Sequence, residues 1–419
     1  MGIPLDSDGN PQLEIVAQRW PDIEMMESQR ILDALDQPLR ARSIVSHSGR
    51  PTSAASLIRT DRGLMFIKRY SRTVRDVETI APYHRYAEFL SHSGISTPRF
   101  LRFNPEASVS PTAMEELGNT DMLNVDTQLS VNPQLSVAPQ LSVNPQTATV
   151  AITADAAYEA YMASTGEDRY GKALSWDPPK TLEEARNLGE SVAKIDAASR
   201  DFDEPRMRPN GMSNTFGLFA SDDIHASWKS WVARRPAVQR YIRLTNRDIS
   251  HDLDIVQPYA GKVAAHYGQL HRQWTHGDPH ASNFLWTGNA PSTVIDFGLA
   301  DRNTAVFDLA MAIERHAIQW VAVMDGHEDA CRPDIAESII RGYCSHRPLQ
   351  DAEKLILPEL LAICQAESGL NWLQYYMDGV HRLDDAAWCY DVCFLAHTRW
   401  FSTGPGRALL DSIRDCLSE

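Results

Sequence analysis

Between Thr275 and Ala310 the chain reads THGDPHASNFLWTGNAPSTVIDFGLADRNTAVFDLA, and three of its side chains have the chemistry that moving a phosphoryl group requires. Asp278 follows His276 and Gly277, Asn283 comes five residues after Asp278, and Asp296 comes thirteen residues after Asn283, in Asp296-Phe297-Gly298. One carboxylate must orient an attacking hydroxyl and accept its proton. An amide oxygen and a second carboxylate must hold the Mg²⁺ ions that neutralise a triphosphate. Hard cations take oxygen ligands, so Asn283 and Asp296 suit them.

The local pattern must also bring these residues together. FLWTG and STVIDFG read as two short apolar strands divided by the turn cluster Gly288 to Ser292, which predicts a hairpin. Asn283 then enters one strand and Asp296 leaves the other on the same side, with Asp278 on the loop that feeds the first strand. The spacing from Asp278 to Asn283 equals that of the kinase catalytic loop, and Asp-Phe-Gly is its metal-binding partner.

HGDPHASNFLW followed by VIDFGLAD resembles the aminoglycoside phosphotransferase superfamily, which also holds choline, homoserine and methylthioribose kinases. The resemblance covers most of the chain and is strongest over residues 275 to 310. It implies a two-lobed, α+β, protein-kinase-like fold, an antiparallel sheet lobe followed by a mainly helical one. It also implies ATP as phosphate donor, with GTP the alternative, and Mg²⁺. Asp278 would be the catalytic acid-base residue, Asn283 and Asp296 the metal ligands, His276 a structural residue behind the loop, and Asp308 a buttress beneath it.

The elements before this stretch fit such a plan. IEMMESQRILDALD, residues 23 to 36, has apolar residues at helical spacing, and ARSIVSH, AASLIRT and LMFIKRY are strand-like runs divided by SGRPTS and DRG, an antiparallel meander. By the resemblance, the first turn covers the phosphates through Ser48 and Gly49, and Lys68 on the third run contacts them. That turn holds Gly49 alone among Ser46, Ser48, Arg50, Thr52 and Ser53, so it is poor in glycine. The following helix should carry a glutamate for Lys68. The family position falls near Tyr83 and His84, with Glu78 and Glu88 about a turn to either side, and Glu88 is the candidate. Residues 99 to 118 read as two more strands ending in TAMEELG, where the backbone from Met114 to Leu117, including Glu115 and Leu117, would hold an adenine at the hinge.

Three domains follow: a nucleotide lobe over 1–118, a low-complexity insertion over 119–150, and a helical catalytic and acceptor lobe over 151–419. Within the insertion, QLSVNPQLSVAPQLSVNPQ from Gln128 to Gln146 repeats a six-residue unit three times. A proline in each unit removes ladder donors, so the segment reads as a flexible surface insertion rather than an edge ribbon.

After Asp-Phe-Gly the chain passes through Asp301, Arg302 and Asn303 almost directly into FDLAMAIE, with none of the long peptide-docking segment or the Ala-Pro-Glu motif of protein kinases. The acceptor is therefore expected to be a small hydroxyl-bearing molecule. Residues 321 to 419 hold sixteen Asp and Glu against eight Lys and Arg, and Glu367, Asp378, Asp384 and Asp385 are candidates to line a cleft for an amino-bearing acceptor such as an aminoglycoside or an amino alcohol. A net charge of −15 argues against nucleic-acid and membrane-surface partners. No apolar run reaches eighteen residues and the amino terminus lacks a signal-peptide pattern, so a cytoplasmic protein is expected, its six cysteines reduced. The alternative is a non-catalytic nucleotide-binding or scaffold module, for which the glycine-poor turn and the missing helix glutamate speak.

Overall fold

The computed structural model describes residues 20–50, 52–106, 140–205 and 212–419. Helix α1 (Met25–Asp33) leads into strands β1 (Ala41–Arg50), β2 (Ser53–Thr60) and β3 (Gly63–Ser71), the expected antiparallel meander, and then into α2 (Val77–His92). Helix α2 starts at a capping box, where the Asp76 carboxylate accepts from the first turn and Thr79 Oγ1 accepts from the Asp76 N–H at 3.1 Å. Strands β4 (Ser142–Val143), β5 (Ala151–Ile152) and β6 (Ala156–Met162) complete one six-stranded sheet in the order β1-β2-β3-β6-β5-β4. Its apolar face packs on α1 through Ile31, Leu32, Ile58, Ile67 and Phe103.

This sheet corrects the expected boundaries. It continues to Met162, so the sheet lobe takes in residues assigned from the sequence to the insertion and to the start of the helical lobe. The strand beside β3 is β6, in register from Met65↔Met162 to Ser71↔Ala156. Of the two strands expected over 99–118, the described part shows single bridges, Phe100 with Tyr161 and Phe103 with Leu35. The expected hinge residues Glu115 and Leu117 lie outside the described residues, as does the repeat from Gln128 to Pro139. Its last copy is not a loose loop: Leu141 is 2% exposed in the sheet-lobe core, and Ser142 and Val143 pair with β5. Leu141, with Val143 packed against the same core, anchors that copy.

The rest of the chain is helical around two short antiparallel strand pairs. In order come α3 (Leu182–Ser199), α4 (Ile224–Ala233), α5 (Pro236–Thr245), α6 (Ile249–Asp252), α7 (Gln257–Tyr267), β7 (Gln273–Thr275), β8 (Phe284–Thr287), β9 (Ala290–Val294), β10 (Asp301–Asn303) and α8 (Ala305–Ala317). Then follow α9 (Trp320–Met324), α10 (Pro333–His346), α11 (Asp351–Gln374), α12 (Leu383–Cys389), α13 (His397–Trp400) and α14 (Gly404–Ser418), with π-helical turns at Tyr375–Val380 and Tyr390–Ala396. Every residue of α8 is buried, as befits a helix surrounded by α3, α10 and α11. Together the sheet and the helical part make the two-lobed α+β, protein-kinase-like architecture. Among the described residues no helix is long and apolar enough to cross a membrane.

Because Leu141 is buried, Leu141→Ala is expected to cost about 2–4 kcal/mol, read by denaturant unfolding. A linker replacing Gln128 to Gln146 removes the same anchor and should destabilise the sheet lobe; an unchanged unfolding midpoint would mean that Leu141 contributes nothing there.

Candidate active site

The loop that carries Asp278 is held between two antiparallel strand pairs. β7 pairs with β10 on one side, Thr275 opposite Asp301, and β8 pairs with β9 on the other, Phe284 opposite Val294. The β8–β9 turn is tighter than the sequence suggests, because Ala290 already pairs with Thr287, leaving Gly288 (φ +58°) and Asn289 to turn the chain. Asn283 stands just before β8, and its carbonyl accepts from the Ile295 N–H at 2.9 Å, which sets Asn283 beside Asp296. Asn283 Nδ2 donates to the Asp278 carbonyl at 2.8 Å, so the amide oxygen is the end left to face a cation. Asp296 itself sits in the left-handed region at φ 60°, uncommon for a residue with a side chain, and opens to solvent in the cleft.

Gly277 allows the loop its path. Its φ is +81°, and a Cβ there would lie 2.4 Å from the Leu299 carbonyl oxygen, so no other residue fits without moving the backbone after Asp-Phe-Gly. His276 ties the same two segments together: its Nε2 bonds to the Ile295 carbonyl at 2.9 Å and its Nδ1 to the Asp278 N–H at 3.4 Å. One nitrogen must donate and the other accept, so the ring is neutral, and burial pushes its pKa down. Phe297 packs 5.2 Å from His276 and edge-on to Tyr86 of α2, 5.8 Å between centroids.

Beneath the loop lies α8. Asp308 accepts from the His276 and Gly277 N–H groups at 2.7 and 2.9 Å; burial pushes its carboxyl up to about 7 against those two bonds. His316 Nε2 accepts from the Ala281 N–H at 2.9 Å while its Nδ1 bonds to the Asp177 carbonyl at 2.8 Å. Arg315 reaches Asp278 Oδ1 with both Nε and a terminal nitrogen at 3.1 Å, and His280 Nε2 lies 3.4 Å from Asp278 Oδ2. Burial works against the Asp278 carboxylate, but Arg315 and then His280 outweigh it and hold its pKa well below the ordinary range.

Across the cleft, Lys68 lies on β3 in one cross-strand row with Ser48, Ala55 and Glu159, so these side chains share a face of the sheet. Ser48 and Gly49 belong to β1 itself, and Arg50 pairs with Ser53, so the turn expected to cover the phosphates is short. Its end is tied to the helical lobe, Thr52 Oγ1 lying 3.1 Å from the Tyr375 hydroxyl. Lys68, Glu159, Tyr161, Phe100 and Asp296 line one small, partly open cavity. Burial opposes the charge on Lys68, yet Asp296, Tyr161, Tyr70 and Glu159 together keep its pKa well above the usual value. In turn the Lys68 ammonium, more than Arg75 and His276, sets Asp296 down at about 2.

The chain thus brings Asp278, Asn283 and Asp296 together opposite Lys68, with His276 and Asp308 behind them. Three of the four acidic acceptor candidates already have partners within the chain. The Glu367 carboxylate is engaged by the N–H groups of Gly217, Leu218 and Phe219 at 2.8, 2.9 and 3.2 Å, Asp378 pairs with Arg240, Asp385 pairs with Arg382 at 2.9 Å, and Asp384 is exposed. Glu88 is exposed on α2 and is not among the residues lining the cavity with Lys68. Sequence reasoning missed Arg315 and His316, although their spacing of seven and eight residues from Asp308 places all three on one helical face. It also missed Arg75, buried over the Tyr70 ring at 5.3 Å and beside Gly298.

Among the described residues no cluster of three His, Cys, Asp or Glu stands ready to cage a metal. Asp296 lines the cavity that carries Lys68, and Asn283 is tied beside it through the Ile295 N–H.

Breaking the buried Asp278–Arg315 pair should be costly: Arg315→Leu is expected to lower stability by about 3–5 kcal/mol near neutrality. The depressed carboxyl of Asp278 contributes stability above the unfolded value of about 3.9 and loses it as pH falls. Without Arg315 the carboxyl protonates more readily, so the deficit should shrink on acidification. Unfolding curves across pH check this; a deficit independent of pH would contradict the pairing.

The sequence profile of the Phosphotransferase enzyme family matches residues 146–356. Curated relatives include the homoserine kinase of Methylobacterium radiotolerans, 28% identical over 187 residues, 42% of this chain and 48% of the relative. The homoserine kinase of Hyphomonas neptunium is 26% identical over 180 residues, 43% of this chain and 50% of the relative. The chain spans about half the length of the curated relatives it matches. Among solved structures, the microcompartment-associated aminopropanol kinase is similar at 14% identity, covering 92% of this chain and 100% of that one with a TM-score of 0.49. With just over half of its 419 residues matched by the profile, this chain belongs to the phosphotransferase enzyme family.

Proposed function

We propose that the protein is an ATP-dependent kinase that moves the γ-phosphate to a hydroxyl of a small molecule. The observation that carries this reading is the convergence of Asp278, Asn283 and Asp296 on one side of a cleft with Lys68 on the other. Lys68 binds the α and β phosphates, while Asn283 and Asp296 hold Mg²⁺. When bound, Mg²⁺ neutralises charge on the phosphates and fixes their orientation. The segment that follows β6, rather than Glu115 and Leu117, is the backbone against which we place the adenine, because β6 is the strand paired with the lysine-bearing β3.

Asp278 orients the acceptor hydroxyl. Held so acidic by Arg315, it is a weak base, and it takes the proton late, as the new bond to phosphorus makes the hydroxyl acidic. That order suits a loose, metaphosphate-like transition state, in which the nucleophile needs aiming more than prior deprotonation. Arg315 keeps Asp278 ionised and immobile.

For the acceptor we favour an amino-bearing alcohol. Support comes from relatives named homoserine kinases, since homoserine is an alcohol that also carries an ammonium group. Six free thiols in the carboxy-terminal quarter fit a reducing, cytoplasmic setting where ATP is supplied.

A panel of hydroxylated amines, amino acids, neutral sugars and acids, followed by ADP release with Mg²⁺ and ATP, tests the reading. Asp278→Asn is expected to keep nucleotide binding and lose about 10²–10⁴-fold in turnover. Asp296→Ala should lose the Mg²⁺-dependent part of nucleotide binding. Normal turnover by both variants would refute the assignment, turnover confined to neutral sugars would refute the amino-alcohol class, and nucleotide binding without transfer to any acceptor would make the protein a non-catalytic module.

A further inference from the structure

Kinase-like sites need a carboxylate to keep the phosphate-binding lysine in place, and α2 does not offer one. Its residues facing the site are Tyr83 and His84, both buried, while Glu78 and Glu88 are exposed. We propose that Glu159, on the neighbouring strand β6, is the positioning residue for Lys68, and that α2 acts on the lysine through Tyr83 and His84 by fixing that carboxylate. The inference rests on the nucleotide reading of the site given above.

The register carries the first half of the argument. Lys68 and Glu159 stand directly opposite one another on β3 and β6, so both side chains project from the same face, and both line one cavity with Asp296. A sheet pair of this kind is rigid in a way that a strand–helix pair is not, since its geometry is set by main-chain bonds on either side.

The second half is how Glu159 is held. Its side chain is 3% exposed, and such a carboxylate is costly unless hydrogen-bonded. Tyr70 donates to Oε1 at 3.1 Å, while Tyr83 and His84 both meet Oε2, His84 at 2.7 Å. His84 is itself fixed, its Nδ1 2.9 Å from Thr149 Oγ1 and its ring stacked on Phe100 with centroids 3.6 Å apart. Burial keeps His84 neutral, so its Nε2–H donates to the carboxylate and its Nδ1 accepts from the threonine. Three donors on one anion hold its negative charge in a single place, on the cavity wall that it shares with Lys68. Asp296 is the other carboxylate acting on Lys68, but it has a cation to bind and is freed for it if Glu159 stabilises the ammonium.

A double-mutant cycle separates this role from a merely structural one. Glu159→Gln is expected to lower kcat/KM for ATP and the affinity for a non-hydrolysable ATP analogue with Mg²⁺ by roughly 10–100-fold, the range seen when a residue orienting a functional group is removed. The KM for the acceptor should not move. In a Lys68→Met background the same substitution should have no further effect on nucleotide affinity, and His84→Glu added to Glu159→Gln should recover part of the loss. Should Glu159→Gln fail to fold, Tyr83→Phe and His84→Gln each remove one donor while keeping the carboxylate, and their smaller losses should likewise vanish in the Lys68→Met background. Losses that add to that of Lys68→Met, or an unchanged Glu159→Gln, would overturn the proposal. Because the cycle is read by binding, a protein that holds nucleotide but phosphorylates nothing would refute the transfer reading and leave the Glu159 result standing; a wild-type chain that binds no nucleotide would overturn both.

Discussion

Everything at the catalytic loop depends on polar side chains that a fully buried helix presents to it. Asp308, Arg315 and His316 of α8 take hold of the backbone at His276 and Gly277, the carboxylate of Asp278 and the backbone at Ala281. A buried helix with charged residues is costly to fold, and each of these groups would destabilise the core if left alone. Their partners all lie within one short loop. The cost of burying α8 and the order of the loop are therefore one energetic fact, and the loop can hold left-handed and crowded conformations at Gly277 and Asp296 because α8 leaves it no alternative.

Two kinds of coupling follow from that anchor. Within the helical lobe, His276 connects the loop to the strand before Asp-Phe-Gly, so Asp278 and Asp296 cannot move independently. Between the lobes, Phe297 packs against Tyr86 of α2, and Lys68 and Asp296 set each other's charge across the cleft. The charges are arranged in opposition: Lys68 and Arg75 on one side, Asp296 and Glu159 among them, and Asp278 neutralised separately by Arg315.

The residues proposed to do the chemistry could be grouped from the sequence because their spacing is short. Asp278, Asn283 and Asp296 fall within nineteen residues, and a hairpin between them is enough to bring them together. The place of Lys68 on the third strand was legible from the meander. What stayed hidden depends on contacts across long separations. Glu159 lies ninety-one residues from Lys68, and nothing local distinguishes it from any glutamate in AAYEAYM except that its strand is apolar on both sides. The sheet boundary was misplaced for the same reason, since β6 reaches β3 only after the insertion. Glu367 misled in the opposite direction: an acidic residue on a helix reads as a ligand for cations, whereas three backbone amides of a distant loop occupy it.

The bond between Thr52 and Tyr375 joins the outer hairpin of the sheet lobe to a π-helical turn at the end of α11. A π-turn hydrogen-bonds one residue further along the chain than the α-helix around it, and such turns recur at functional sites. The Tyr375 hydroxyl thus ties the rim of one lobe to an irregular turn of the other, so a substitution at Thr52 or Tyr375 acts on the seam between them rather than on either core.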